Sequence, residues 1–317
     1  MIRYFAGSGK NFKEVESLED ASWVHVNGQD ELSHLERLTT ALGITTDYIT
    51  DPLDIEERAR YEKYDEARSI ILHTPVVNDG EKENDPIYIT VPLGIILCQQ
   101  KIITVCAVEN TVMEKFLDNK IKRFNPKNER LFILQIFEQN VLLFLEFLKK
   151  LNMKRGLIEQ ELYHSSRSEE LKSLLRIEKS LVYFVNSLSA NELLKLKMNR
   201  VDFLGLKDNE DYKEWFEDIL VDSNQAREVA QLYTNILNGT MEAYASIISN
   251  NLNIFINRLT VITILLMVPT VIASFLGMNV RLPFGLGESS WSFYLIVIFT
   301  VVLSLVLAWL LKRKQIL

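Results

Sequence analysis

The chain has 317 residues, enough for one sizeable water-soluble domain together with membrane spans. Its formal net charge is −7 at pH 7 and its last segment is basic, so the acidic residues are concentrated in the soluble part. This balance argues against nucleic acid as a partner, because nucleic-acid binding needs clustered Lys and Arg, and it suits divalent cations. The two cysteines, Cys98 and Cys106, are expected to be buried thiols, although a hairpin could bring them close enough for a disulfide.

The first 125 residues (1–125) are predicted to form a cytosolic α/β domain. Leucines at helical spacing predict a helix over Glu31–Leu42, and Asp47–Leu53 is predicted as a short helix or turn. The charged stretch Asp54–Asp65 and the acidic loop Asn78–Asp85 fit solvated turns. Runs rich in β-branched residues indicate strands at Ser22–Val26, Ser69–Thr74, Ile87–Leu97 and Ile102–Val108.

Residues 126–200 are predicted to form two long antiparallel helices, Arg130–Tyr163 and Ser168–Leu196. After a polar bend, the helical pattern resumes at Trp215 and continues without proline to Pro269. A helix of roughly 60 residues is about 90 Å long at ~1.5 Å per residue, far longer than an ordinary globular helix. We therefore expect residues 212–278 to form a stalk helix that continues into a membrane span.

Two uncharged runs lie near the C-terminus. The first covers residues 259–280, which is 22 residues, and the second covers residues 289–311, which is 23 residues. A hydrocarbon core about 30 Å thick needs about 20 helical residues, so both runs are long enough to cross it. They predict two transmembrane helices, the second over residues 291–311.

The predicted topology has both termini in the cytosol. The N-terminus lacks an apolar core of signal-peptide length, and two spans return the C-terminus to the same side. The basic tail 312–317 and Arg258 lie on that side by the positive-inside rule, and residues 279–290 form a short external loop. The sequence thus predicts a multi-pass α+β protein of the plasma (inner) membrane. It has an N-terminal cytosolic α/β domain, a long helical stalk and two C-terminal transmembrane helices.

The first span carries a narrow polar stripe. Its residues follow one another at intervals of 3, 4, 3 and 4 positions, which places them on one helix face: Thr260, Thr263, Met267, Thr270 and Ser274. Ile256 and Asn253 extend the stripe backwards. Small hydroxyl residues pack helices together in bilayers, so the stripe fits a packing seam. It equally fits the wall of a water-filled pore, and because two spans cannot enclose a pore, that interpretation requires a homo-oligomer.

The end of the first span resembles a known family. Gly277-Met278-Asn279 stands at the outer end of the first of two closing spans, and Lys312-Arg313-Lys314 follows the second. The upstream segments Ser249–Asn253 and Leu259–Thr263 are similar to the family's approach to this motif. In these features the chain resembles the CorA metal-ion transporters. The resemblance in layout covers the whole chain, and it is most specific over roughly residues 215–315.

The resemblance implies a homopentameric channel for passive, potential-driven uptake of Mg²⁺, with Co²⁺ and Ni²⁺ as further candidate ions. Mg²⁺ keeps its water shell, so a ring of Asn279 amides would hold the hydrated ion. Gly277 would let the helix end turn, and Met278 would pack beside it; the three residues form the implied selectivity filter. The implied pore and gate residues are Asn253, Ile256, Leu259, Thr263, Met267, Thr270 and Ser274, of which Ile256, Leu259 and Met267 form hydrophobic constrictions.

The resemblance also implies gating by cytosolic Mg²⁺, which would bind between subunits and hold the closed state. Asp218 lies about where the family's regulatory acid falls, and Asp222 follows one turn later on the same helix face. Asp79 and Asp85 are weaker candidates, because in the family an acid of the cytosolic domain helps to hold this metal. Each of these acids also fits a solvated helix start or loop.

Two other functions fit the sequence. One is a Zn²⁺ transporter like the related ZntB branch, with proton coupling; the other is a membrane-tethered sensor or scaffold whose spans only anchor it. Nucleophile-elbow and HExxH motifs are absent from the sequence, so an enzyme is not expected. The expected partners are divalent cations, further copies of the chain and the lipid bilayer. Neither nucleic acid nor an organic cofactor is expected.

Overall fold

The structure, a computed structural model, describes residues 1–28, 32–64, 67–80, 84–164, 168–278 and 290–313. The chain divides into two compact units, Met1–Gly239 and Thr240–Leu317. The first unit holds the sheet and the helices that pack on it. The second holds two apolar helical segments.

One mixed sheet forms the centre of the first unit. Its strands are β1 (Ile2–Ala6), β2 (Lys13–Val15), β3 (Trp23–Asn27), β4 (Arg60–Tyr64), β5 (Ala67–Val77), β6 (Tyr88–Cys98) and β7 (Lys101–Cys106). They are ordered β2-β1-β3-β7-β6-β5-β4, and every neighbouring pair is antiparallel except β3 and β7, which run parallel. The predicted strands are confirmed as β3, β5, β6 and β7, with their ends shifted by a few residues.

Three strands were not predicted from the sequence: β1, β2 and β4. The charged stretch Asp54–Asp65, which fits a solvated turn in the sequence, is such a turn only in its first part, because Arg60–Tyr64 within it pairs with β5. β2 and β4 are the two edge strands, and most of their side chains are exposed. Their sequences therefore lack the alternation of apolar and polar residues by which a half-buried strand is recognised.

Helices cover both faces of the sheet, because successive side chains of a strand point to opposite sides. On one face, Val24 and Val26 of β3 join a core with α1 (Leu32–Leu42) and α2 (Asp47–Thr50). On the other face, the Trp23 ring meets the edges of Phe124 and Phe132, with ring centres 5.7 and 5.2 Å apart. A short helix, α3 (Thr111–Leu117), adds Phe116 to this aromatic cluster.

Two long antiparallel helices follow, α4 (Glu129–His164) and α5 (Ser168–Arg200), close to the predicted bounds. By length and composition α4 is apolar enough to cross a membrane, yet 67% of its most apolar window is buried inside the first unit. It is therefore a core helix of the soluble part. Both α4 and α5 pack on the sheet at β5.

The longest helix is α6 (Glu210–Leu276), which has 67 residues and confirms the predicted long stalk helix. Asn209 caps its start: the Asn209 side-chain oxygen accepts from the backbone N–H of Tyr212 at 3.0 Å. Its first turns pack on α4, where Trp215 Nε1 donates to Glu138 Oε1 at 3.0 Å. Pro269 lies inside the helix.

The second unit contains the end of α6 and a final helix, α7 (Ser290–Arg313). The most apolar windows of α6 and α7 are long and apolar enough to cross a membrane, and only 6% and 0% of them are buried in the chain. In α4, by contrast, the apolar window is mostly buried. The exposure and the length of the α6 and α7 windows support the two predicted spans.

The cysteines do not meet, so the suggestion that a hairpin could bring them together was wrong. Cys106 pairs with Leu93, whereas Cys98 pairs with Lys101 at the other end of the same strand pair. Both are free and buried, as expected from the sequence.

Candidate ion pathway

The polar stripe of α6 faces away from α7. The half-buried residues of α6 that line its contact with α7 are Leu265, Pro269, Ile272 and Leu276. The stripe residues Thr263, Met267, Thr270 and Ser274 are all exposed. At about 100° per residue the two sets lie roughly 160° apart around the helix axis. The stripe is therefore not a seam between the two spans of one chain.

The threonines of the stripe are oriented by their own helix. The hydroxyls of Thr260, Thr263 and Thr270 donate to the carbonyl oxygens four residues earlier, at 2.8, 2.9 and 2.8 Å. The hydroxyl hydrogen is thus used, and the oxygen keeps its lone pairs as acceptors. Water molecules bound to a cation point their hydrogens outward, so a hydrated cation needs acceptors of this kind.

The N-terminal part of the stripe also carries apolar side chains. Ile256, Leu259 and Met267 are 48%, 54% and 58% exposed, and Asn253 is exposed as well. All four lie in α6, and α7 buries none of them. In an assembly around an axis, side chains of this kind would form a narrow dry segment.

The tripeptide Gly277-Met278-Asn279 begins where α6 ends, and its first two residues are described. The Gly277 N–H still bonds the Ala273 carbonyl at 2.9 Å, and Met278 is 53% exposed. The φ of Gly277 lies outside the left-handed region, and a Cβ there would lie 3.3 Å from the Ala273 carbonyl oxygen. That Gly277 lets the helix end turn stays a prediction. Asn279 lies outside the described residues.

The four candidate regulatory acids lie at the surface of the first unit. Asp218 and Asp222 are exposed on one face of α6, Asp79 is exposed in the β5–β6 loop, and Asp85 is half-buried. The Asp85 carbonyl accepts from Arg176 Nε at 2.7 Å, which ties the loop end to α5. Within the described residues of this single chain, no group of three or more His, Cys, Asp or Glu side chains is placed to hold a metal.

A buried charge near Asp222 was missed by sequence reasoning. Lys195 of α5 is 3% exposed, and its Nζ donates to Ser223 Oγ of α6 at 2.5 Å. Burial lowers the pKa of Lys195 to about 7, against the opposing attraction of Glu192 and Asp222. A lysine in a helix pattern normally indicates a solvated position, and only the packing of α6 on α5 reveals otherwise.

The comparisons with known proteins agree with this layout. Residues 19–313 match the family described as CorA-like Mg²⁺ transporter protein. The chain belongs to the CorA family. Among its relatives is the cobalt/magnesium transport protein CorA of Methanocaldococcus jannaschii, 24% identical over 304 residues, or 94% of this chain and 92% of that one.

Solved structures share the fold of this chain. The complete structure of the CorA magnesium transporter from Methanocaldococcus jannaschii superposes with a TM-score of 0.79 at 23% identity, covering 99% of this chain and 98% of that one. The ZntB cytoplasmic domain from Vibrio parahaemolyticus gives a TM-score of 0.58 at 11% identity, covering 78% of this chain and 96% of that one. At these identities the likeness establishes the fold, and the transported ion has to be argued from the residues.

Proposed function

We propose that this CorA-family chain assembles as a homopentameric channel for passive uptake of Mg²⁺, with Co²⁺ and Ni²⁺ as further ions. The stripe of α6 carries the proposal. It is exposed, it faces away from α7, and its threonine oxygens are free to accept from a hydrated cation. Several copies arranged with their stripes inward would enclose a pore, with α7 outside.

Transport through such a pore needs no chemical step, so no enzyme activity is proposed. A membrane potential negative inside contributes about 2.3 kcal/mol per charge per 100 mV, or roughly 4.6 kcal/mol for a divalent cation. Asn279, which follows the end of α6, would offer its amide oxygen at the outer mouth, where it binds the ion through its water shell. Ile256, Leu259 and Met267 would close the inner segment by excluding water.

We propose that cytosolic Mg²⁺ holds the closed state through Asp218 and Asp222, with an acid of the β5–β6 loop, Asp79 or Asp85. A single chain offers only an exposed pair on α6, so the remaining ligands would come from a neighbouring copy or from water. A bound ion closes the channel only to the extent that it binds the closed arrangement more tightly.

The first test is Mg²⁺ uptake into liposomes that carry the purified protein, with wild type beside Asn279→Ala. Asn251→Ala is the matched control, since Asn251 is exposed on α6 and lies roughly 140° around the helix axis from Ile256 of the stripe, at about 100° per residue. We expect uptake to be lost in the Asn279 variant and kept in the control. Equal uptake in both variants would exclude a filter at Asn279.

A second pair of variants tests the stripe itself. Thr270→Val keeps the shape of the side chain and removes the acceptor oxygen, so we expect Mg²⁺ uptake to fall several-fold. Thr300→Val is the control, because Thr300 makes the same hydroxyl bond to its own helix at 2.8 Å, but on α7. A larger loss in the control would place the pathway along α7 instead.

The runner-up is a ZntB-like Zn²⁺ transporter with proton coupling, for which the shared fold of the ZntB cytoplasmic domain is the only support. The same liposomes distinguish the two. Zn²⁺ uptake that follows a pH gradient, with little Mg²⁺ uptake, would favour the carrier. Absence of flux for both ions would favour a membrane-tethered sensor or scaffold.

A further inference from the structure

A large cleft lies between the two helices of the second unit. Its volume is about 900 Å³, within the range of roughly 300–1,000 Å³ typical of pockets for drug-sized ligands. Apolar side chains from both helices line it, among them Leu265, Pro269, Ile272, Phe293, Val297 and Leu305. The cleft lies on the side of α6 opposite the polar stripe, so a ligand there would leave the proposed ion pathway open.

The cleft runs along the two helices. Gly277 and Phe293 line one end, and Leu265 and Ala308 line the other. Twelve residues of α6 separate Leu265 from Gly277, which corresponds to about 18 Å at ~1.5 Å per residue. An extended hydrocarbon chain parallel to the helices fits this shape better than a compact ligand does.

The Leu265 end of the cleft leads to basic side chains. Because the helices are antiparallel, Arg258 and the pair Lys312 and Arg313 both lie beyond this end, about 10 Å and about 7 Å further along their helices at ~1.5 Å per residue. All three are exposed. The Arg313 guanidinium lies 5.5 Å from the centre of the Trp309 ring, an aromatic side chain typical of a membrane interface.

No Asp or Glu is present among the described residues 243–278 and 290–313 to neutralise these charges, and Glu242, the remaining described acid of the second unit, lies 16 residues before Arg258. A second copy of the same segment would bring only further positive charge to this end. Anionic lipid can supply the counter-charge, because the cytoplasmic leaflet is rich in it.

We propose that each chain binds one anionic phospholipid, with an acyl chain in the cleft between α6 and α7 and the phosphate on Arg258, Lys312 and Arg313. The proposal rests on the proposed function only for the orientation that places this end in the cytoplasmic leaflet. It assigns the cleft to lipid rather than to another copy of the chain, because only an anion matches the basic end. The lipid would fill the contact behind the ion-conducting face of α6.

Native mass spectrometry of the full-length protein tests this directly and does not require ion flux. The detergent-solubilised protein is mixed with phosphatidylglycerol or with phosphatidylcholine of identical acyl chains, and the detergent is removed in the mass spectrometer. A basic residue near a charged membrane surface contributes about a fivefold gain in affinity, so we expect at least about tenfold tighter binding of phosphatidylglycerol. Equal binding of the two lipids would overturn the proposal.

Two sets of variants locate the lipid. Replacing Arg258, Lys312 and Arg313 together by Gln should reduce phosphatidylglycerol binding to the level of phosphatidylcholine. Replacing Lys149, Lys154 and Lys197, which are exposed in the first unit, by Gln removes the same charge and should have no effect. If both triple variants lose binding equally, the attraction is a matter of net charge and the site is wrong.

The cleft is tested by filling it. Ala308→Leu adds bulk at its inner end, and we expect it to weaken binding of both lipids while the preference for phosphatidylglycerol remains. If Ala308→Leu instead disrupts the oligomer and leaves lipid binding unchanged, a second copy occupies the cleft and the proposal falls. Lipid binding as expected in a protein without Mg²⁺ uptake would contradict only the proposed function.

Discussion

The side chain of Asn191 makes two hydrogen bonds to the backbone of His73. Its Oδ1 accepts from the His73 N–H at 2.9 Å, and its Nδ2 donates to the His73 carbonyl at 2.7 Å. The carbonyl also accepts from Asn140 at 3.0 Å. β4 pairs with β5 only as far as Ile71, so the edge of β5 is open at His73. The amides of α4 and α5 close that edge and fix the helices on the sheet.

We therefore expect Asn191→Leu to destabilise the first unit by about 1–3 kcal/mol, because it leaves a part-buried N–H without a partner. Asn140→Leu is the comparison, since it removes only one of the two bonds to the same carbonyl and should cost about 1 kcal/mol. Thermal unfolding of the two purified variants beside wild type measures both effects. Equal losses would mean that the steric cost of the larger leucine, rather than the hydrogen bonds, determines the effect.

Two glycines respond to alanine in opposite ways. A Cβ on Gly94, in the middle of β6, would lie 2.4 Å from Cγ of Pro52, whereas a Cβ on Gly156 of α4 would meet no atom within 4 Å. Gly94→Ala should destabilise the protein by about 1–3 kcal/mol through overpacking. Gly156→Ala should stabilise it by about 0.5–1 kcal/mol, because alanine favours a helix interior. A shift of both melting temperatures in the same direction would contradict this pair of predictions.

The sequence predicts those elements in which apolar residues recur at a regular spacing or form a long uninterrupted run. These are the central strands, α4, α5, the stalk helix and both spans. It does not predict features that depend on residues far apart in the chain. The exposed edge strand Arg60–Tyr64 alternates too weakly to be recognised, and the contact of Asn191 with His73 joins residues 118 positions apart.

The candidate site shows the same division. The spacing of the stripe predicted its helix face, and the position of α7 on the opposite side is what the structure added. Asn279 lies outside the described residues, and the regulatory acids Asp79, Asp85, Asp218 and Asp222 stay predictions. Rings and metal sites formed by several copies depend on contacts that one chain does not contain, so neither its sequence nor its fold displays them.

The cysteines should react slowly in the folded protein. Burial raises the pKa of the Cys98 thiol to about 11 and raises that of Cys106 as well. Since the thiolate is the reactive form, alkylation of native protein at pH 8 should be at least about a hundredfold slower than in urea. A cysteine placed at the exposed position Ser189 is the internal control. Fast labelling of Cys98 or Cys106 would indicate that the β6–β7 hairpin opens readily.

Lys195 should make the packing of α5 against α6 depend on pH. Its folded-state pKa of about 7 lies below its ordinary value of 10.5, so the unfolded chain binds more protons between these two values. Stability therefore rises as the pH increases from about 7 toward 10, by up to about 1.4 kcal/mol per pH unit. Below pH 7 the lysine is protonated in both states, and the full penalty of burying its charge is present.

Hydrogen exchange of the amides in α5 and α6 measures this local stability in the full-length protein. Lys195→Met keeps the length of the side chain and removes its charge. The opening free energy of wild type should rise by about 2 kcal/mol between pH 7 and 9, and that of Lys195→Met should not rise. Lys197→Met is the matched control, because Lys197 is exposed two residues further along α5. It should follow wild type. If Lys195→Met also keeps the wild-type slope, the titrating group is another residue and Lys195 remains charged in the folded protein.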